Sequence, residues 1–222
     1  MKKEKHIYFV RHGETDANAD GVFRGAEARM TSAGEAQARA VAERIARISV
    51  EAVVSSPFPR TMETAKAIGE RTGLPIEESS LFVERRRPSA AKGKAHADPE
   101  MITIGKEIFA GYLIPGHRHS DEENFDDLKE RLLASLSFLE KHPKDRICVV
   151  THGVFLKMIF AAMWAGEAMT GEDLQRALRM LFTNNAGVTH ATFSSTAHFH
   201  PPLGAYDNSW QIVSWNDSAH LG

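Results

Sequence analysis

Four side chains in this sequence are of the types that grip and transfer an anionic group, and each lies just beyond a short apolar run. Arg11 and His12 follow Ile7-Tyr8-Phe9-Val10, Arg60 follows Ala52-Val53-Val54 and a proline-containing turn, and His152 follows Ile147-Cys148-Val149-Val150. A guanidinium offers a planar fork that matches phosphate oxygens in pairs. A neutral imidazole can attack phosphorus, and a second can donate to the oxygens being transferred. Two arginines and two histidines at one spot would make an anion trap and would stabilise the charge of a phosphoryl transition state. On its own, Arg11-His12-Gly13 also fits an ordinary solvated strand end. The chemistry follows only if the three segments meet.

The apolar runs read as buried strands, because short continuous runs with β-branched and aromatic residues suit the middle of a parallel sheet. Between them lie helical patterns. Val41, Ile45 and Ile48 recur at helical spacing in a helix opening near Thr31, with Ser32 and Glu35 at capping-box spacing and Thr31 as the other candidate cap. A second helix runs from about Arg60 to a Gly73-Leu74-Pro75 stop. Phe125, Leu128, Leu132, Leu136 and Leu139 form one core-facing stripe over 122–140, and Val154 to Trp164 reads as a buried helix. Further helices are expected over 99–110 and 172–181, an extended piece over 76–83, and final strands over 188–193 and 211–215. The polar stretch 15–29 reads as a loop.

Strands alternating with helices predict an α/β fold: a three-layer α/β/α sandwich on a mostly parallel central sheet. One domain spans residues 1–222, with the irregular stretch 84–120 as a lid or cap insertion. In such sheets ligands sit beyond the carboxyl ends of the strands, where Arg11, His12, Arg60 and His152 would gather.

The run Arg11-His12-Gly13-Glu14-Thr15 with Asn18 resembles the signature of the histidine phosphatase superfamily, also called phosphoglycerate mutase-like. Further matches follow in order: 30–38 (Met-Thr-Ser-Ala-Gly-Glu-Ala-Gln-Ala), Ser55-Ser56-Pro57-Phe58-Pro59-Arg60-Thr61 with Thr64-Ala65, Glu84, Thr151-His152-Gly153, and Asn216-Asp217 with His220-Leu221. The resemblance implies His12 as a nucleophile that becomes a phosphohistidine. It implies Arg11, Arg60 and His152 around the phosphoryl oxygens, with Asn18 and Gly153 beside them and Arg24 and Gly25 contacting substrate. Glu84 would protonate the leaving oxygen and then activate water; Glu77, Glu78 and Asp98 are the alternatives for that acid. No metal or other cofactor is implied, since the arginines supply the charge.

Three functions fit this pattern. The first is a phosphomonoester phosphatase acting on a small phosphorylated metabolite. The second is a phosphoglycerate mutase-type transferase, disfavoured by Asp16-Ala17 where mutases carry an aromatic residue and by the absence of a Gly-rich, Trp-containing stretch after Glu84. The third is a non-catalytic phospholigand-binding member of the fold. Arg85-Arg86-Arg87 with Lys92 and Lys94 reads as a solvated turn, with a grip on a second anionic group as the sharper alternative. His117 with His119, and His198 with His200, read as solvated or supporting groups rather than metal ligands.

The remaining composition sets bounds. A formal net charge of −2 exerts no global pull on nucleic acid or acidic membranes. The single Cys148 excludes an internal disulfide and reads as a small core residue. No segment has the pattern of a signal peptide or a membrane span, so a cytoplasmic setting without membrane partners is expected. A homodimer is compatible with the chain but not specified by it.

Overall fold

The computed structural model describes residues 4–195, 198–200, 204–206 and 209–222. Its centre is a six-stranded sheet in the order β3-β2-β4-β1-β5-β8, formed by β1 (Glu4–Arg11), β2 (Ala52–Ser55), β3 (Ile76–Glu78), β4 (Arg146–Thr151), β5 (Val188–Ser194) and β8 (Ser209–Asp217). β1 to β4 pair in parallel; β5 joins β1, and β8 joins β5, antiparallel. β6 (His198–His200) and β7 (Gly204–Tyr206) form a separate two-stranded ribbon. The connecting turn of that ribbon and its side chains, including the His198/His200 pair, lie outside the described residues.

The alternation of side chains along β1 and β4 divides the core. Ile7, Phe9, Ile147 and Val149 face α5 (Phe125–Lys141) and α6 (Gly153–Ala165), while Val10, Cys148 and Val150 face α2 (Ser32–Ile48) and α3 (Pro59–Thr72). The predicted leucine stripe is buried on the first side. Cys148 is buried on the second, where burial pushes its thiol pKa up. No helix among the described residues is long and apolar enough to cross a membrane.

Several local expectations change. Residues 15–29 contain α1 (Asp16–Asp20), because Thr15 and Asn18 cap each other reciprocally, and a 3-10 turn at Gly25–Glu27. The extended piece stops at Glu78, and Ser80–Phe82 coil into a 3-10 turn that buries Phe82. The helix expected from 122 begins at Phe125, because Asn124 caps it. The Glu122 and Glu123 carboxylates are used elsewhere: Glu122 accepts from the His119 and Ser120 amides, and Glu123 pairs with Arg131. At α2, Thr31 rather than Ser32 is the cap, accepting from the Gly34 amide. The helices at α4 (Pro99–Gly111) and α7 (Gly171–Met180) lie within a residue of expectation.

Register brings the strand ends together. Arg11 pairs with Thr151 and Ser55 with Val150. The ladder continues one step past the strands, since the His12 amide donates to Thr151 O at 3.0 Å and the Ser56 amide to Val150 O at 3.0 Å. The turn after β1 is then held from two sides. The Gly13 amide donates to Thr64 Oγ1 on α3 at 3.1 Å, and the Thr31 amide at the start of α2 donates to Glu14 O at 3.0 Å. The second contact leaves no room at Gly34, where a Cβ would lie 2.1 Å from Glu14 O.

Gly34→Ala should therefore push the His12 turn off α2. Backbone overpacking of this kind costs about 1–3 kcal/mol. A lowered urea midpoint with an unchanged m-value would show it; an unchanged midpoint would refute the close approach.

Candidate active site

His12 is buried, with 4% of its surface exposed. Its Nδ1 lies 2.7 Å from Gly13 O, so Nδ1–H donates to that carbonyl and the lone pair falls on Nε2. Arg60 Nε–H donates to that Nε2 at 3.2 Å, and Arg60 Nη1 donates to Gly25 O at 2.8 Å. Arg11 reaches Thr183 O at 2.7 Å through Nη1, while its buried Nε has no partner among the described residues. His152 is fully buried and stands edge-on to His12, ring centroids 5.3 Å apart. Its Nε2 lies 2.8 Å from Ser56 Oγ.

Neither Arg11 nor Arg60 has a carboxylate partner within ion-pair distance among the described residues, so their positive charge stays in the site. Burial first, then the Arg60 and Arg11 charges, holds His12 well below its ordinary pKa and keeps the imidazole neutral. His152 is lowered in the same way, by burial, Arg60, His12 and Arg11.

Glu84 arrives from the far side. Its Oε1 accepts from the Phe155 and Arg85 amides, both at 2.9 Å, and its Oε2 from the Val154 amide at 3.1 Å. The carboxylate thus caps the N-terminus of α6, a favourable place for negative charge. Gly153 lets Arg11 cross that terminus, since a Cβ there would lie 2.9 Å from Arg11 Nε. The alternative acids fall elsewhere: Asp98 caps α4, Glu77 meets His142, and Glu78 is exposed at the end of β3.

These groups open into a cavity of about 790 Å³ whose lining includes Arg11, His12, Asn18, Arg60, Glu84 and Gly153. His152 lies behind it. Two loops build the walls and are stitched together: Phe23 and Lys94 share a backbone bond of 3.0 Å, His96 and Gly21 one of 2.7 Å, and Val22 bridges Ala95. Arg24 lines the cavity while paired to Asp20 at 2.5 Å, and Gly25 contributes the carbonyl that holds Arg60. Asn18 spends its oxygen on the α1 cap and on Asn185 Nδ2.

The basic run is not the solvated turn its composition suggested. Arg85 is buried and donates to the Tyr112 hydroxyl at 2.8 Å, because its backbone turns inward beside Glu84. Arg86 is exposed and donates to Asp121 O at 2.8 Å. Arg87 lies over the Phe23 ring, 4.6 Å from its centroid, and lines the cavity. Burial, then the Arg85 charge, brings its pKa to about 10. Lys92 also lines the cavity and pairs with Glu27, while Lys94 pairs with Glu100 outside it.

Residues with no motif to mark them complete the site. Thr183 and Asn185, between α7 and β5, hold Arg11 and the His12 carbonyl, the latter through Asn185 Nδ2 at 3.0 Å. Lys157, one turn along α6 from Gly153, lines the cavity. Its position at i+4 from a motif glycine was the one available signal.

The model of the histidine phosphatase superfamily (branch 1) matches residues 7–199. An Enterobacter sp. protein named "Probable phosphoglycerate mutase GpmB" is 32% identical over 97% of this chain and 94% of its own. A "Metal-independent phosphoserine phosphatase" of Arabidopsis thaliana is 29% identical over 97% of this chain and 82% of its own. The solved mycobacterial glucosyl-3-phosphoglycerate phosphatase superposes with a TM-score of 0.74 at 22% identity, covering 97% of this chain and 100% of that one. With the family model spanning both the β1 turn and the His152 turn, the chain belongs to branch 1 of the histidine phosphatase superfamily.

Proposed function

We propose that the protein hydrolyses a small phosphomonoester through a phosphohistidine on His12, without a metal ion. The observation that carries this reading is the His12 ring itself: neutral, with Nδ1 committed to Gly13 O and the Nε2 lone pair set between uncompensated guanidinium groups. An arriving phosphoryl group draws Arg60 onto its oxygens, which frees Nε2 to attack. The Nε2–P bond forms as the P–O bond to the leaving alkoxide breaks. Arg11, Arg60 and His152 hold the transferring oxygens, with Asn18 and Gly153 alongside.

Glu84, in its acid form with the proton on Oε2, supplies that proton to the leaving oxygen and becomes the carboxylate. A carboxylate oxygen has two acceptor positions. Oε1 uses both on amides, whereas Oε2 uses one and keeps one for the proton. The same oxygen then takes a proton from the water that cleaves the Nε2–P bond.

The segment 84–120 serves as the lid, sewn to the loop after β1, and sets what enters. Arg87 and Lys157 have no hydrogen bond or ion pair among the described residues, and both face the cavity beside Glu84. They suit a second anionic group on the substrate, such as the carboxylate of a phosphorylated hydroxy acid or amino acid, as the relatives' names suggest. The buried single cysteine fits a reducing, cytoplasmic setting.

Steady phosphate release from a generic aryl phosphate should persist in EDTA. His12→Ala should abolish both release and an acid-labile, alkali-stable phosphoenzyme. Primer-dependent interconversion of phosphoglycerates, without net phosphate release, would replace the hydrolase reading with the mutase one.

Arg87→Ala should raise KM for carboxylated phosphoesters roughly tenfold, the effect of about 1.4 kcal/mol, and leave aryl phosphate kinetics near wild type. An equal change for both substrates would remove Arg87 from carboxylate recognition.

The neutral histidines also couple to stability. Unfolded histidines take protons near pH 6.5, while folded His12 and His152 do so only well below it. The unfolded state then binds more protons, so stability falls as pH drops below about 6.5, by up to about 1.4 kcal/mol per pH unit for each ring. Chemical denaturation between pH 7 and pH 5 measures this, and His12→Asn should flatten the slope.

A further inference from the structure

His152 presents a question of atoms that its Thr-His-Gly motif does not answer. The ring is neutral, so one nitrogen carries hydrogen and the other a lone pair. To bind phosphoryl oxygens, the nitrogen on that side must be the donor; a lone pair there would repel them. His152 Nδ1 is buried and has no partner among the described residues, whereas Nε2 lies 2.8 Å from Ser56 Oγ.

Ser56 is placed to decide between the two forms. It is fully buried between β2 and α3, and its backbone is pinned on both sides. Its amide donates to Val150 O at 3.0 Å, and its carbonyl accepts from Ser55 Oγ at 2.9 Å and Thr61 Oγ1 at 2.8 Å. Its hydroxyl oxygen has two neighbours within reach among the described residues: the Phe58 amide, a donor at 3.5 Å, and His152 Nε2. If Nε2 carried hydrogen, the hydroxyl would face two donors and its own hydrogen would have no acceptor. If the hydroxyl donates to Nε2, every group in this buried corner is satisfied except Nδ1–H. An unmet buried donor costs free energy that an anion at that place would recover. Phe58 braces the other side of the ring, centroids 5.2 Å apart, so the imidazole cannot readily flip to exchange its nitrogens.

We propose that Ser56 is a positioning residue: its hydroxyl donates to His152 Nε2, fixes the Nδ1–H tautomer, and so makes His152 a donor to the phosphoryl oxygens transferred at His12. This rests on the phosphohistidine reading for its catalytic consequence, but the tautomer itself does not depend on any turnover.

The experiment is 15N NMR of histidine-labelled protein, with the His152 signals assigned by their absence from His152→Gln. The expected wild-type pattern is protonated Nδ1 and unprotonated Nε2. In Ser56→Ala the pattern should move toward Nε2–H. The kcat for an aryl phosphate should fall roughly ten- to hundredfold with little change in KM, the scale expected for a weakened transition-state donor. Nε2–H in the wild type overturns the proposal whether or not the variant folds. So does a folded Ser56→Ala, checked by circular dichroism, that keeps the wild-type tautomer. If the wild type shows Nδ1–H and yet hydrolyses no phosphate ester, the hydrolase reading fails while the Ser56 assignment stands.

Discussion

Two guanidinium groups, Arg60 buried and Arg11 half-buried, stand at one edge of the sheet and are anchored to carbonyl oxygens instead of carboxylates. Arg60 is held by Gly25 O and Arg11 by Thr183 O. A carbonyl dipole fixes a guanidinium in place without cancelling its charge. The field therefore survives and adds to burial in holding His12 and His152 neutral. A carboxylate in either place would have stabilised the fold more directly and weakened the positive field around the two imidazoles. Glu84 acts on both guanidinium groups through space, but it is engaged by the amides of α6 and forms no ion pair with either arginine.

The parallel register makes this arrangement possible. Because Arg11 is level with Thr151 and Ser55 with Val150, three turns leave the sheet at one height, and each carries one part of the site. The supporting contacts are main-chain or short-range: Thr64 to the Gly13 amide, Glu14 to the Thr31 amide, Ser56 to His152. Small residues at Gly13, Gly34 and Gly153 permit approaches that any side chain would block. The cavity wall is built in a different layer, where the loop after β1 and the loop around 93–96 are laced together.

Much of this was legible in the residues. Apolar runs ending in Arg-His-Gly and Thr-His-Gly marked strand ends, and the helical spacing of the leucines in α5 marked a core face. Where the reading slipped, a local polar contact had overridden composition. Thr15 and Asn18 made a short helix out of a polar loop, and Asn124 set the start of α5 at Phe125, three residues past Glu122; the Glu122 carboxylate is drawn into loop contacts and that of Glu123 to Arg131. Thr183 and Asn185 carried no pattern: Thr183 acts through a backbone carbonyl that any residue could offer, and Asn185 through the side-chain amide of one asparagine in an irregular connection.

The residue types, their order and the strand ends on which they sit follow from local periodicity and turn chemistry. Which cations lack a carboxylate partner depends on how the segments pack. Arg85, Arg86 and Arg87 are adjacent in the chain, yet one meets a tyrosine hydroxyl, one a backbone carbonyl, and one an aromatic ring at the cavity wall. Likewise, nothing local to His152 distinguishes its two nitrogens. That distinction comes from Ser56, 96 positions away in the chain and 2.8 Å away in space. Protonation and hydrogen-bond direction depend on distances of a few ångströms between segments remote in sequence, and those distances exist only once the sheet has formed.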